Sequence, residues 1–173
     1  MQKNLLYVGA FIILVLLQIF LLDNISLSVF FHPMIYIAFI IMLPLDIKPL
    51  WVLLLSTLMG LTIDMLTGMS GLNVVATTAT GFLRPLMLRL AVGKDNATDG
   101  GIPAPMQVGA GKFWAYASVF TAVQCALFFT LEAMTLQYLL PIVLKIVVNT
   151  IATVMLVWGV ASVFAPRNYN NSF

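Results

Sequence analysis

The chain has 173 residues, of which 62% are hydrophobic and 8% charged, with a formal net charge of +2. A soluble domain carries roughly 45–50% apolar and about 25% charged residues. So short a chain has no interior large enough to hide that excess, so the composition excludes an ordinary soluble domain and makes lipid the solvent. The eight Lys and Arg residues form no run, which leaves no footprint for nucleic acid. Cys125 is the only cysteine, so an internal disulfide is excluded.

Six apolar stretches follow in chain order, at 5–22, 30–43, 50–66, 73–90, 113–131 and 139–164. The first starts behind Lys3 and ends at Asp23-Asn24-Ile25 without a small-x-small cleavage pattern, so it reads as a retained span rather than a signal peptide. The second is short against the ~20 residues a helix needs to cross, and Pro33 suits its first turn. All six are expected to be helical, because an unpaired backbone group in hydrocarbon costs several kcal/mol. The fold class is thus an all-α integral membrane protein, one six-span domain over 1–173.

Charge sets the orientation. With the N-terminus inside, the inner segments carry Lys3, Lys48, Lys94, Lys112 and Arg167, with Arg89 at a helix end. The outer connections carry Asp23 and Glu132 and no Lys or Arg, so the positive-inside bias predicts both ends in the cytoplasm. The connection at about 91–112 holds Gly100-Gly101, Pro103 and Pro105 and reads as a flexible cytoplasmic loop. Asn96-Ala97-Thr98 matches a glycosylation acceptor only by accident in that location.

Polar residues inside apolar helices are the candidate sites. Thr57, Gly60, Asp64 and Gly68 recur at i+3/i+4 and share one helix face, where small residues allow another helix to approach. Asp64 lies at the C-terminal end of its helix, where the macrodipole disfavours an anion. It needs a cation or the amides that open the next helix, as a structural anchor of the hairpin or as a substrate or proton site. Lys145, Asn149 and Thr153 form a polar stripe on the sixth span that should face the bundle interior. Lys145 has Asp64 or Glu132 as a charge partner, or else snorkels outward. Arg84-Pro85 should kink or end the fourth helix, with Leu86–Leu90 then running along the inner interface and both Arg84 and Arg89 reaching lipid head groups or a partner.

His32 is the only histidine, which argues against a His-based metal site. Gly68-Met69-Ser70-Gly71 is not a nucleophile elbow, no phosphate-binding glycine loop occurs, and no catalytic set assembles. Neither an enzyme activity nor a cofactor is expected.

Gly60-Leu61-x-x-Asp64, followed by Gly68, Gly71-Leu72 and Gly81, resembles the bacterial rod shape-determining protein MreD family, as do Leu17-Gln18 late in the first span and Pro33 opening the second. The resemblance covers essentially the whole chain. It implies a non-enzymatic scaffold or adaptor of the elongation complex in the cytoplasmic membrane, binding MreC and, through it, MreB and the RodA–transpeptidase peptidoglycan synthase. It also implies an architecture similar to the S components of energy-coupling-factor transporters. Gly60, Asp64, Gly68 and Gly71 would then maintain the hairpin that shapes a partner surface. The S-component likeness supplies the alternative, a solute-binding transport subunit with an outer pocket near Asp64, Glu132, Lys145 and Asn149. Against it, Gly9-Ala10 is followed four residues on by Ile13-Leu14, so an Ala-x-x-x-Ala docking motif is missing.

Overall fold

A computed structural model describes residues 2–23, 31–93, 102–103, 105–133 and 139–164. Lys94, Arg167, Phe30, the Asn96-Ala97-Thr98 triplet and the Gly100-Gly101 pair lie outside the described residues, as does most of the loop expected at 91–112. Among the described residues the secondary structure is helical throughout. Helix α1 covers Gln2–Leu17 and continues as a π-helical stretch, Gln18–Asp23. A five-residue helix α2, Ile37–Ile41, precedes α3, Pro49–Thr67, and α4, Leu72–Ala91. The short α5, Pro105–Val108, leads into α6, Ala110–Ala133, and α7, Leu139–Phe164.

Hydrophobic side chains exceed what the interior can hold, so the long helices wear them outside. On α3, Leu50, Leu54, Leu58, Leu61 and Met65 point outward, each 42–75% exposed. On α4, the inward face instead carries Asn73, Thr77, Thr80 and Arg84, all buried and spaced at helical intervals. The core is otherwise apolar, so what departs from a soluble domain is the exterior, which is apolar as well. Helices α3, α6 and Leu140–Val163 of α7 are long and apolar enough to cross a membrane. The molecule is a membrane protein.

Four helices form the body of the bundle, each antiparallel to the next. Ser56 of α3 lies against Gly81 of α4, and Gly60, further along α3, against Asn73 and Val74 at the start of α4. Arg84 and Thr77 of α4 bond to Tyr116 and Gln124 of α6. Trp114 near the start of α6 stacks on Trp158 near the end of α7, at 6.0 Å between ring centroids.

The second apolar stretch departs from expectation. Residues 34–43 are all buried, yet only Ile37–Ile41 is helical, so no continuous helix runs over 30–43. Non-helical backbone is stable at membrane depth only when protein encloses it and supplies the missing hydrogen bonds. Both conditions are met here, as described below. Of the kink or early end expected at Pro85, the early end does not occur, and α4 runs on to Ala91. Pro85 removes one amide from the ladder, a loss membrane helices tolerate when their neighbours are packed. Arg84 does not reach head groups: it is 2% exposed and turns into the core. The last part of the 91–112 connection is also ordered, with α5, a buried Pro103 and a buried Val108 leading directly into α6.

Candidate structural site: a buried segment held by polar side chains

At the first end of the bundle, Asp64 joins two helices. Its carbonyl accepts the amides of Gly68 and Met69, closing α3. Its carboxylate opens α4: Oδ2 accepts the Val74 amide at 2.8 Å, and Oδ1 accepts the Asn73 amide at 3.2 Å and the Asn73 side-chain nitrogen at 2.9 Å. An anion that is unfavourable at the C-terminus of α3 thereby sits at the N-terminus of α4, where free amides and the macrodipole favour it. The chain reverses fast enough for this because Gly68 and Gly71 take positive φ of 71° and 87°. Gly60 lets the helices touch. A Cβ there would lie 2.7 Å from both the Asn73 carbonyl oxygen and the Val74 Cα. Thr57 adds a hydroxyl contact of 2.9 Å with Thr78 across the same seam. Gly68 is not part of that seam, since it terminates the helix.

From Asn73 a network crosses the core. The Tyr36 hydroxyl donates to Asn73 Oδ1 at 2.8 Å, and Gln124 Nε2 donates to Tyr36 and to Thr77 at 3.3 and 3.2 Å. Every member is buried. The buried 31–43 segment is thus fastened by its one tyrosine to α4 and α6.

Its backbone is fastened by four other side chains. Asn149 Oδ1 accepts the His32 amide at 2.6 Å, and Thr153 Oγ1 accepts the Met34 amide at 3.0 Å. Gln18 acts at both ends of its amide group, donating to the Pro33 carbonyl at 3.2 Å and accepting from the Ile35 amide at 2.9 Å. The π-helical widening of the first helix begins at this glutamine. At the other end of the segment, Arg84 donates to the carbonyls of Ile41 (3.5 Å), Leu43 and Pro44 (3.4 Å), while its Nε reaches the Tyr116 hydroxyl at 3.1 Å. Three converging carbonyl dipoles surround the guanidinium with partial negative charge. They also use several of its donors, as a buried cation requires.

The sequence-derived stripe on α7 therefore divides. Asn149 and Thr153 face the core and hold the segment. Lys145, with its side chain 20% exposed, pairs with Glu132 at 3.1 Å and lies over the Phe129 ring at 5.6 Å. Glu132, rather than Asp64, is its partner. Asp64 and Lys145 are not brought together. Gln18, Tyr36, Asn73, Gln124 and Tyr116 were not among the expected site residues. Gln18, Asn73 and Gln124 carried a usable signal as lone amides inside apolar helices, whereas the two tyrosines carried none.

Chemically, these groups act on the protein's own backbone. No group of His, Cys, Asp or Glu suited to a metal occurs among the described residues. No protein-family model, characterised protein or solved structure matches the chain.

Proposed function

We propose that the chain is a non-enzymatic, multi-pass scaffold of a bacterial cytoplasmic membrane that works through the outer faces of its helices. One observation carries this reading. Most of the buried polar side chains are directed at the molecule's own segment 31–44 and at the α3–α4 hairpin, so the interior builds shape, and contact with other molecules falls to the exterior. In this arrangement the long helices and the buried segment make six crossings, with both termini in the cytoplasm. Glycines and the aspartate that resemble the MreD family support the reading, because Gly60, Asp64, Gly68 and Gly71 each act on the hairpin geometry. The partner is then MreC, with MreB and the RodA–transpeptidase synthase reached through it.

The test is co-purification of the tagged full chain, solubilised in mild detergent, with co-expressed MreC. Retention of MreC, lost on Gly60→Leu but kept on Lys145→Ala, is the expected result. A purified chain that leaves MreC behind and carries a stoichiometric small solute would replace the scaffold with a transport subunit.

A further inference from the structure

All of the protein's tryptophan lies at one end of the bundle. The sequence holds three, Trp51, Trp114 and Trp158, and each is 37–57% exposed. Their heights follow from the antiparallel pairings. With Ser56 against Gly81 and Arg84 against Tyr116, Trp51 of α3 and Trp114 of α6 both stand level with the turn of α4 that follows Arg84. Trp158 shares that level through its stack on Trp114. The same registers carried outward by about one turn, or ~5 Å, arrive at Lys48, Arg89 and Lys112, all exposed. Arg89 is in the last turn of α4, where the helix dipole favours a cation.

Below this rim the outward face of α4 is apolar for two turns. Leu86 and Phe82 lie three and seven residues before Arg89, on the same face of α4, and are 55% and 72% exposed. Cations above, indoles one turn deeper and an aliphatic and aromatic strip beneath match an amphiphile with an anionic head. A soluble anion would use only the cations. Asp46, also exposed, is the described carboxylate nearest in sequence to the rim, so three cations face one anion.

We propose that the Lys48–Arg89–Lys112 rim is a binding strip for anionic phospholipid, with headgroup phosphates held along these three side chains and an acyl chain lying along Leu86 and Phe82. The inference rests on the membrane reading above but not on the identity of any protein partner. Tryptophan at the headgroup level and Lys or Arg just beyond it is the arrangement that interfacial anchoring uses. A basic side chain near an anionic surface contributes about 1 kcal/mol, or roughly five-fold in local lipid enrichment.

Because every tryptophan is at this end, fluorescence reports on the lipid around this end of the bundle. The full chain is reconstituted in phosphatidylcholine bilayers containing equal mole fractions of either dibrominated phosphatidylglycerol or dibrominated phosphatidylcholine. Brominated phosphatidylglycerol should quench as though enriched on the order of five-fold or more at the rim. The K48Q/R89Q/K112Q variant should quench equally with both lipids, and added sodium chloride should erode the preference of the unmodified chain as screening shortens the field. Equal quenching by the two lipids in the unmodified chain would overturn the site, as would a preference that survives in the triple variant. Inorganic phosphate that removes the preference where sodium chloride of equal ionic strength does not would make the ligand a soluble anion and overturn the lipid assignment. A chain whose tryptophans neither brominated lipid quenches would fail at the membrane reading itself, which is a different failure.

Discussion

Asp64→Asn isolates what the carboxylate does, because it keeps the shape and removes one acceptor oxygen. The native group accepts three hydrogen bonds, from two backbone amides and one side-chain amide. An asparagine must turn either its oxygen toward Asn73 and its NH2 toward the Val74 amide, or the reverse. In both orientations a donor faces a donor, and at least one charge-assisted bond is lost. A hydrogen bond to a charged group has a net value of ~1.5–3 kcal/mol, and the anion's favourable placement at the start of α4 adds ~0.3–1 kcal/mol. Relief of the desolvation of a 5% exposed carboxylate offsets part of this. Asp64→Asn should therefore destabilise the protein by about 2–3 kcal/mol. Asp64→Ala, which strands the Asn73 and Val74 amides, should cost about 3–5 kcal/mol by the same per-bond values. Reversible denaturation by SDS from mixed micelles, followed by far-UV circular dichroism, measures both. A double-mutant cycle with Asn73→Ala should give a coupling on the order of 1 kcal/mol, since the two side chains bond directly. An Asp64→Asn protein within about 0.5 kcal/mol of the parent, the size expected of an ordinary surface change, would refute the anchoring role.

Three further outcomes follow from the same geometry. Gly60→Ala forces a methyl group onto the backbone of α4 and should cost ~1–3 kcal/mol as overpacking; cysteine cross-linking between the Thr57 and Thr78 positions, in contact across the seam, would register the splayed hairpin as slower disulfide formation. Arg84→Met leaves the Ile41, Leu43 and Pro44 carbonyls without their donor and should destabilise by on the order of 3 kcal/mol, since a buried acceptor left unsatisfied costs about 1–3 kcal/mol, with Arg84→Lys intermediate because an ammonium cannot span the guanidinium's fork; protease sensitivity between residues 31 and 48 is the local readout. Glu132→Ala and Lys145→Ala should each cost no more than about 1 kcal/mol and show coupling that falls with salt, as expected of a pair with 20% and 38% exposed side chains.

The long helices are legible in the amino-acid order because hydropathy measures what they put outside. Helices α3, α4, α6 and α7 begin and end within a few residues of the expected stretches. The Asp64 turn is also legible, since a carboxylate at a helix C-terminus demands donors and the next helix supplies them two residues past Gly71. The buried 31–43 segment is not. Hydropathy counts side chains, whereas what decides between a helix and an irregular segment here is who bonds to the backbone. Those partners are Gln18, Arg84, Asn149 and Thr153, far apart in sequence and individually unremarkable. Arg84 misleads for a related reason. An arginine beside a proline in the second half of an apolar helix reads as a side chain reaching for the membrane surface, and the three carbonyls of a distant segment turn it inward instead.

That dependence on distant partners has a consequence for synthesis. The His32 and Met34 amides are matched by Asn149 and Thr153, which follow 117 and 119 residues later in the chain. At ~5–20 residues per second, a ribosome needs on the order of ten seconds to deliver them. During that interval the first helix has already left the exit tunnel, and the stretch behind it has no finished binding site to occupy. It must wait as a helix of its own, at the bilayer surface, or within the insertion machinery. The last helix is then the component that completes the molecule, and a chain truncated before it would lack the two acceptors that hold the His32 and Met34 amides.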